Sequence, residues 1–267
     1  MDNNTNDIES ENDKVKEEWI KIQDELRNQL IEKDQLSFNL KDNTLKYIGG
    51  VDISFVKDNQ EDACACLVVL EYPTMKIVYQ DIEFIKLELP YIPGFLAFRE
   101  TPFLIQLIDR LKQSQDNSKF LPQVIIVDGN GILHPRSFGL ASHLGVLIDI
   151  PTIGIGKTFF HVDGLNAKDV KKQVELSCHK GGDFIELKGE SGKVWGLALQ
   201  SNDDSKNPIY VSIGHRISLE TSLEIIKTTT KYRVPEPVRQ ADLKSREFIR
   251  LHFNNTTSSS NSNSSSK

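Results

Sequence analysis

Val124-Ile125-Ile126-Val127-Asp128 is a continuous β-branched run that ends in a carboxylate and a glycine-rich loop, Gly129-Asn130-Gly131. A run of this kind marks a strand buried on both faces, as in the middle of a parallel sheet. Upstream, residues 47–55, 64–70 and 76–85 read as three strands, the last two joined by the short turn Glu71-Tyr72-Pro73-Thr74. The spacing predicts a helix over 101–113, with Thr101 as N-cap and Pro102 at the first helical position. A second helix is expected over 138–148, then a strand over 152–155. Further strands are expected near 183–188, 193–199 and 208–214, and helices near 218–230 and 237–252. The order β-β-β-α-β-α-β predicts an α/β chain with a mixed sheet covered by helices, its fourth strand parallel to and beside its first.

The ends of the chain differ from this body. Residues 1–13 are Asn/Asp/Glu-rich and 254–267 are almost all Ser, Asn and Thr, so both are expected to be disordered around one domain over 14–253. Val15, Trp19, Ile22, Leu26 and Leu30 form a helical stripe that predicts a surface-packed helix over 14–33. No apolar run approaches the roughly 20 residues of a membrane span, and the polar residues after Met1 argue against a secretory signal. Three cysteines, Cys64, Cys66 and Cys178, make no closed disulfide set. Cys64 and Cys66 alternate onto one strand face and are expected in the core. A reducing cytosolic or nuclear compartment, the nucleolus included, is the expectation.

The net charge of −6 argues at first against a nucleic-acid partner. Its location removes the objection. Residues 1–36 hold 11 Asp/Glu against 5 Lys/Arg, which leaves 27 of each sign in the remainder. Residues 227–250 carry seven Lys/Arg against three Asp/Glu and, with Arg99, Arg136 and Lys157, are expected to face phosphate.

Candidate chemistry begins with Asp52, a charge inside the apolar strand Ile48-Gly49-Gly50-Val51-Asp52-Ile53. Asp128 stands at the carboxyl end of its strand, where open sheets place their sites. If the two strands are neighbours, the carboxylates converge and repel, and a hard divalent cation such as magnesium relieves that repulsion. Glu100 follows the stiff segment Pro90-Tyr91-Ile92-Pro93-Gly94, in which an exposed Tyr91 can wedge into a base stack. Lys157 follows a short strand and can neutralise phosphate, as can His134 and Arg136 after Asp128. Two weaker motifs fail. Pro151 stands where a phosphate-binding loop ending at Gly156-Lys157 needs glycine, and His134 stands at the last glycine of a dinucleotide fingerprint starting at Gly129.

Gly49-Gly50-Val51-Asp52-Ile53-Ser54, the 90–100 run, the 128–145 block, Thr152-Ile153-Gly154-Ile155-Gly156-Lys157 and Val211-Ser212-Ile213-Gly214-His215 together resemble endonuclease V over residues 15–250. The resemblance implies a ribonuclease H-like fold and cleavage of inosine-containing RNA or deoxyinosine-containing DNA. The cut falls at the second phosphodiester bond 3′ to the hypoxanthine nucleotide, leaving 3′-hydroxyl and 5′-phosphate ends. It implies Asp52, Glu100 and Asp128 as metal-site carboxylates for Mg²⁺, with Mn²⁺ able to substitute, and Lys157 near the scissile phosphate. Tyr91, Ile92 and Pro93 match the strand-separating wedge, and Gly94, Gly131 and Ala141 border the base pocket. Asp242 stands where bacterial members often carry His, which resembles the eukaryotic variant and adds a catalytic acid. A monomer acting on single strands, with RNA favoured, is expected. The rival readings are another ribonuclease H-like nuclease (a resolvase or hybrid nuclease) and a catalytically silent inosine-binding protein.

Overall fold

The computed structural model describes residues 3–59, 61–205 and 207–259, with side chains described between 13 and 252. The β-branched run forms β4 (Val124–Asp128), with its first four residues buried. Before it come β1 (Tyr47–Phe55), β2 (Asp62–Glu71) and β3 (Lys76–Lys86), an antiparallel meander. After it come β5 (Thr152–Gly156), β6 (Phe184–Lys188), β7 (Val194–Leu199) and β8 (Ile209–His215). The sheet order is β3-β2-β1-β4-β5-β8-β7-β6. β1 and β4 are parallel neighbours from Ile48↔Val124 to Val51↔Val127, as the sequence predicts, and β4 and β5 are parallel too.

Because side chains alternate along a strand, the central strands feed two cores. Val51, Ile125 and Val127 pack with Leu104, Leu107 and Leu144 of α2 (Leu96–Gln113) and α3 (Leu140–Ile148). Ile48, Val124 and Ile126 pack on the other face with Ile225, Ile226 and Val238 of α5 (Leu219–Thr229) and α6 (Glu236–Ser259). Asp52 and Asp128 share the parity of Ile48 and Ile126, so they project toward the α6 side. α6 approaches β1 so closely that a Cβ on Gly50 would lie 2.1 Å from the Pro237 carbonyl oxygen, which requires glycine there. Cys64, Cys66 and Cys178 are buried free thiols, and burial pushes Cys64 up to about 12.

Several boundaries differ from expectation. α2 begins at Leu96, so Thr101 is not its cap and Pro102 lies inside it. Pro102 costs α2 one backbone hydrogen bond, yet the turn before it is held by packing. Phe98 stacks on Trp19 at 4.7 Å, and Gly94, at φ +86°, turns the chain into the helix. α1 (Asn3–Arg27) starts before residue 14 and stops before 33. No Pro or Gly interrupts 3–27. α6 likewise runs into the Ser/Asn tail, and residues 1–2 and 260–267 of the tails lie outside the described residues. α4 (Ala167–Ser177) goes unpredicted, although Asn166 caps it by accepting from the Asp169 N–H at 3.0 Å and Val170 and Val174 form its buried stripe. Trp19 and Gln23 are buried, and Gln23 donates to the Phe138 carbonyl at 2.9 Å. The acidic leader is therefore also a structural helix. Among the described residues no helix is long and apolar enough to cross a membrane.

Candidate active site

The β1–β4 pairing ends at Val51↔Val127, so the next residue of each strand is an aspartate beside the other. Asp52 and Asp128 lie within hydrogen-bonding reach of each other, and Asp52 is only 8% exposed. An isolated buried carboxylate costs several kcal/mol, on the order of the penalty for any unpaired buried ion. Burial first, then the charges of Asp128 and Asp242, raise Asp52 to about 7 against the hydrogen bond from Ser54. Glu100, buried on α2, is raised to about 8 by burial and by Asp52 and Asp128, with Arg99 opposing. The earlier start of α2 places Glu100 in its second turn, facing the acids rather than merely capping a helix.

Lys157 follows β5 and donates to Asp128 Oδ2 at 2.5 Å. Asp242 comes from α6 and accepts from Arg246 Nε at 2.8 Å. Asp52, Asp128, Lys157, Asp242 and Arg246 line one open cleft of about 370 Å³. The donor chemistry fits a hard divalent cation: every candidate ligand is a carboxylate oxygen, and the acids already repel one another. Among the described residues no three His, Cys, Asp or Glu side chains are drawn together as a finished metal cage. The Asp52–Asp128 pair is the preformed part, while Glu100 and Asp242 adjoin it.

Two further hollows continue from this cleft. Phe55, Tyr91, Leu96, Arg99 and Glu100 line one of about 390 Å³. Tyr91 and Leu96 also border a more enclosed recess of about 140 Å³, with Pro93, Gly94, Asn130 and His134. Tyr91 is 59% exposed, and Ile92 anchors the segment by accepting from the Phe95 N–H at 3.0 Å. The rigid, exposed aromatic of the sequence reading is thus present and sits between acids and recess.

Five expected contacts take another form. Arg99 is 6% exposed and donates to the Leu87 carbonyl at 3.4 Å, so it braces the 87–95 loop and shows only an edge to the cleft. The early start of α2 rolls it inward. Arg136 bonds Gln23 and Asp24 of α1, the latter at 2.9 Å, and lies over the Phe95 ring, so it ties down α1 instead of facing phosphate. His134 is buried and lowered to about 4 by burial and Arg136, which makes it a neutral recess wall. Gly131 turns its N–H to Ser212 Oγ at 2.9 Å, against β8. Ala141 is fully buried, its carbonyl accepting from Thr152. Their neighbours Gly129, Asn130, Gly139 and Leu140 border the recess instead. Arg246 and Phe160, which meets His134 edge-on at 5.9 Å, are added by the structure. The Asp242-to-Arg246 spacing of one helical turn is the only sequence signal for either.

Comparison with solved structures places the architecture. The catalytic domain of human Endonuclease V matches with a TM-score of 0.85 at 43% identity, over 90% of this chain and 98% of that one. Ciona intestinalis Endonuclease V, in complex with a 24mer DNA containing an inosine followed by a ribo-adenosine, matches with a TM-score of 0.83 at 39% identity, over 89% and 99%. The sheet is ribonuclease H-like, and the chain is a hydrolase that cuts phosphodiester bonds within nucleic-acid strands. Mouse Endonuclease V is 50% identical over 206 residues, 77% of this chain and 60% of the mouse protein, so less than two thirds of that relative is spanned. Human Endonuclease V is 44% identical over 234 residues, 87% of this chain and 82% of the human protein. The family model for Endonuclease V matches residues 24–243, and the chain belongs to that family.

Proposed function

We propose that this chain is a divalent-metal-dependent endonuclease for hypoxanthine-containing single strands. It cuts at the second phosphodiester bond 3′ to inosine or deoxyinosine and leaves 3′-hydroxyl and 5′-phosphate ends. The carrying observation is the Asp52–Asp128 pair, two touching carboxylates at adjacent parallel strand ends with a lysine on one of them. Fold stability alone does not call for such a pair, because both burial and mutual repulsion work against it. The family, and the inosine-containing DNA bound by the Ciona relative, support the choice of substrate.

Asp52 and Asp128 would hold Mg²⁺ or Mn²⁺, with Glu100 and Asp242 adjoining. The bound ion would supply Lewis-acid polarisation of the phosphate and a more acidic water. Lys157, now donating to Asp128, would redirect a hydrogen bond to a phosphate oxygen as that oxygen gains charge. Tyr91, stiffened by Ile92 and Pro93, stacks where a base has left the strand. The extruded base enters the recess between Gly94 and His134, which excludes bulk water from its edge. His134, neutral at pH 7, accepts the Arg136 N–H on Nδ1 at 3.2 Å, which leaves Nε2–H to donate to a purine edge, and hypoxanthine differs from adenine there by O6 and a protonated N1. RNA is the favoured strand, with Asp242 as the eukaryotic-type acid. The protein acts as a monomer in a reducing compartment, the cytosol or nucleus. A panel of inosine, hybrid and junction substrates tests the reading. Selective cutting of the inosine strands with Mg²⁺ supports it, and preference for hybrids or junctions overturns it.

A further inference from the structure

Two buried hydroxyls stand behind Asp52, Ser54 already named as its donor and Ser245 with no part in the account above. Ser54, on β1, is 8% exposed, and Ser245, on α6, is fully buried. Ser54 Oγ lies 3.0 Å from Asp52 Oδ2 and Ser245 Oγ lies 3.2 Å from the same oxygen. The two hydroxyl oxygens are 2.7 Å apart. Ser245 Oγ is also 3.0 Å from the carbonyl of Asp242. Every serine contact to Asp52 falls on Oδ2 and none on Oδ1.

We propose that Ser245 and Ser54 are a positioning pair that commits Asp52 Oδ2 to the protein, leaves Oδ1 for the divalent cation, and sets α6 with its Asp242 on the same centre. The inference rests on the metal reading of the cleft. Two hydroxyls bring two hydrogens to four close contacts, so the contacts are not all made at once. The shortest arrangement has Ser245 donating to Ser54 at 2.7 Å and Ser54 donating to Oδ2 at 3.0 Å. Gly50 lets α6 approach β1 closely enough for a side chain as short as serine to bridge them. Groups behind a metal ligand typically change metal affinity by about 10–100-fold when removed.

The test uses the full chain and Mg²⁺ alone as probe. Thermal-shift titrations without nucleic acid, and Mg²⁺ dependence of cleavage, are compared for wild type, Ser245→Ala, Ser54→Ala and the double variant. The expected result is a rise of about tenfold or more in the Mg²⁺ midpoint of both measurements for Ser245→Ala. Cleavage recovers to within a few-fold at saturating Mg²⁺. The double variant is shifted no further than the larger single one, because the hydroxyls act as one unit. An unchanged Mg²⁺ midpoint in a folded Ser245→Ala overturns the proposal. If Ser245→Ala does not fold, Ser54→Ala decides by the same criterion. If wild type itself shows neither Mg²⁺-dependent stabilisation nor Mg²⁺-dependent cleavage, the metal reading has failed, a result separable from an intact wild type with indifferent serine variants.

Discussion

Acids at the centre of the sheet and acids at its β6–β7 margin are treated in opposite ways. At the margin, Asp163 accepts from Ser191 Oγ and, at 2.8 Å, from Trp195 Nε1. Asp183 accepts from the backbone N–H groups of His179 and Lys180 at 2.9 and 3.1 Å. Those donors hold both carboxyls below the usual range. At the centre, burial and like charge lift Asp52 to about 7 and Glu100 to about 8. The marginal acids organise loops and stabilise the fold. The central acids cost stability and are retained where a cation would be bound. A polar hollow of about 680 Å³ beside Asp183 and Lys227 exceeds the acidic cleft in volume, so size does not mark the chemistry here, whereas the sense of the carboxyl shifts does.

The largest effects should separate the two sets outright. Asp52→Ala or Asp128→Ala is expected to slow cleavage by at least about 10³-fold while retaining most strand binding. Asp163→Ala should lower the melting temperature and leave cleavage within about twofold. Near-wild-type rates with Mg²⁺ in both central variants would remove the metal assignment. Lys157→Ala should slow single-turnover cleavage by about 10²-fold, and a rate unchanged at saturating substrate would place Lys157 in a purely structural pair with Asp128. Tyr91→Ala should weaken lesion-dependent binding by ~1–3 kcal/mol and spare an inosine-free control strand. Equal loss on both strands would sink the wedge.

Melting curves against pH sharpen the same contrast. The folded Asp52 and Glu100 bind protons more tightly than they do unfolded, so metal-free stability should fall between about pH 4 and pH 8. Asp52→Asn should flatten that fall, and Mg²⁺ should oppose it most at the alkaline end. Asp163 has the opposite sign: its contribution is present above its unfolded value and is lost as pH drops through its lowered folded value. A stability that rises from pH 5 to 8 without metal, unchanged by Asp52→Asn, would contradict the central half of the comparison. The smallest effect concerns the leader. Deleting 1–12, which carry four acids and no Lys or Arg, should tighten binding by roughly two- to threefold at low salt and not at high salt. Deleting 1–36 is a poor probe of charge, since it also removes Trp19 and Gln23 from the core.

The central acids were legible because local pattern and topology agree. A continuous β-branched run and an apolar strand, each closing on an aspartate, leave few arrangements other than parallel neighbours. The stiff segment with its exposed Tyr91 was legible because two prolines and a glycine fall within 90–94. What escaped depends on partners distant in the chain. Arg136 carries the right charge for phosphate, but its acceptors on α1 lie more than a hundred residues away. Ser54 and Ser245 meet across 191 residues with no motif to announce them. Pro102 marks a helix start by preference, and the packing of Phe98 on Trp19 overrides that preference. Gly131 and Ala141 carry the small side chains of a pocket border but spend them on close packing with β8 and β5.

The most direct test of the central claim is single-turnover cleavage by the full chain of matched single-stranded oligomers. They carry one inosine, one deoxyinosine, or adenine at the same position, with Mg²⁺ or with EDTA. The predicted result is a cut one nucleotide beyond the 3′ neighbour bond of the lesion, in the hypoxanthine strands alone and with Mg²⁺ alone, faster for RNA. Equal cutting of the adenine control, or undiminished cutting in EDTA, would contradict it.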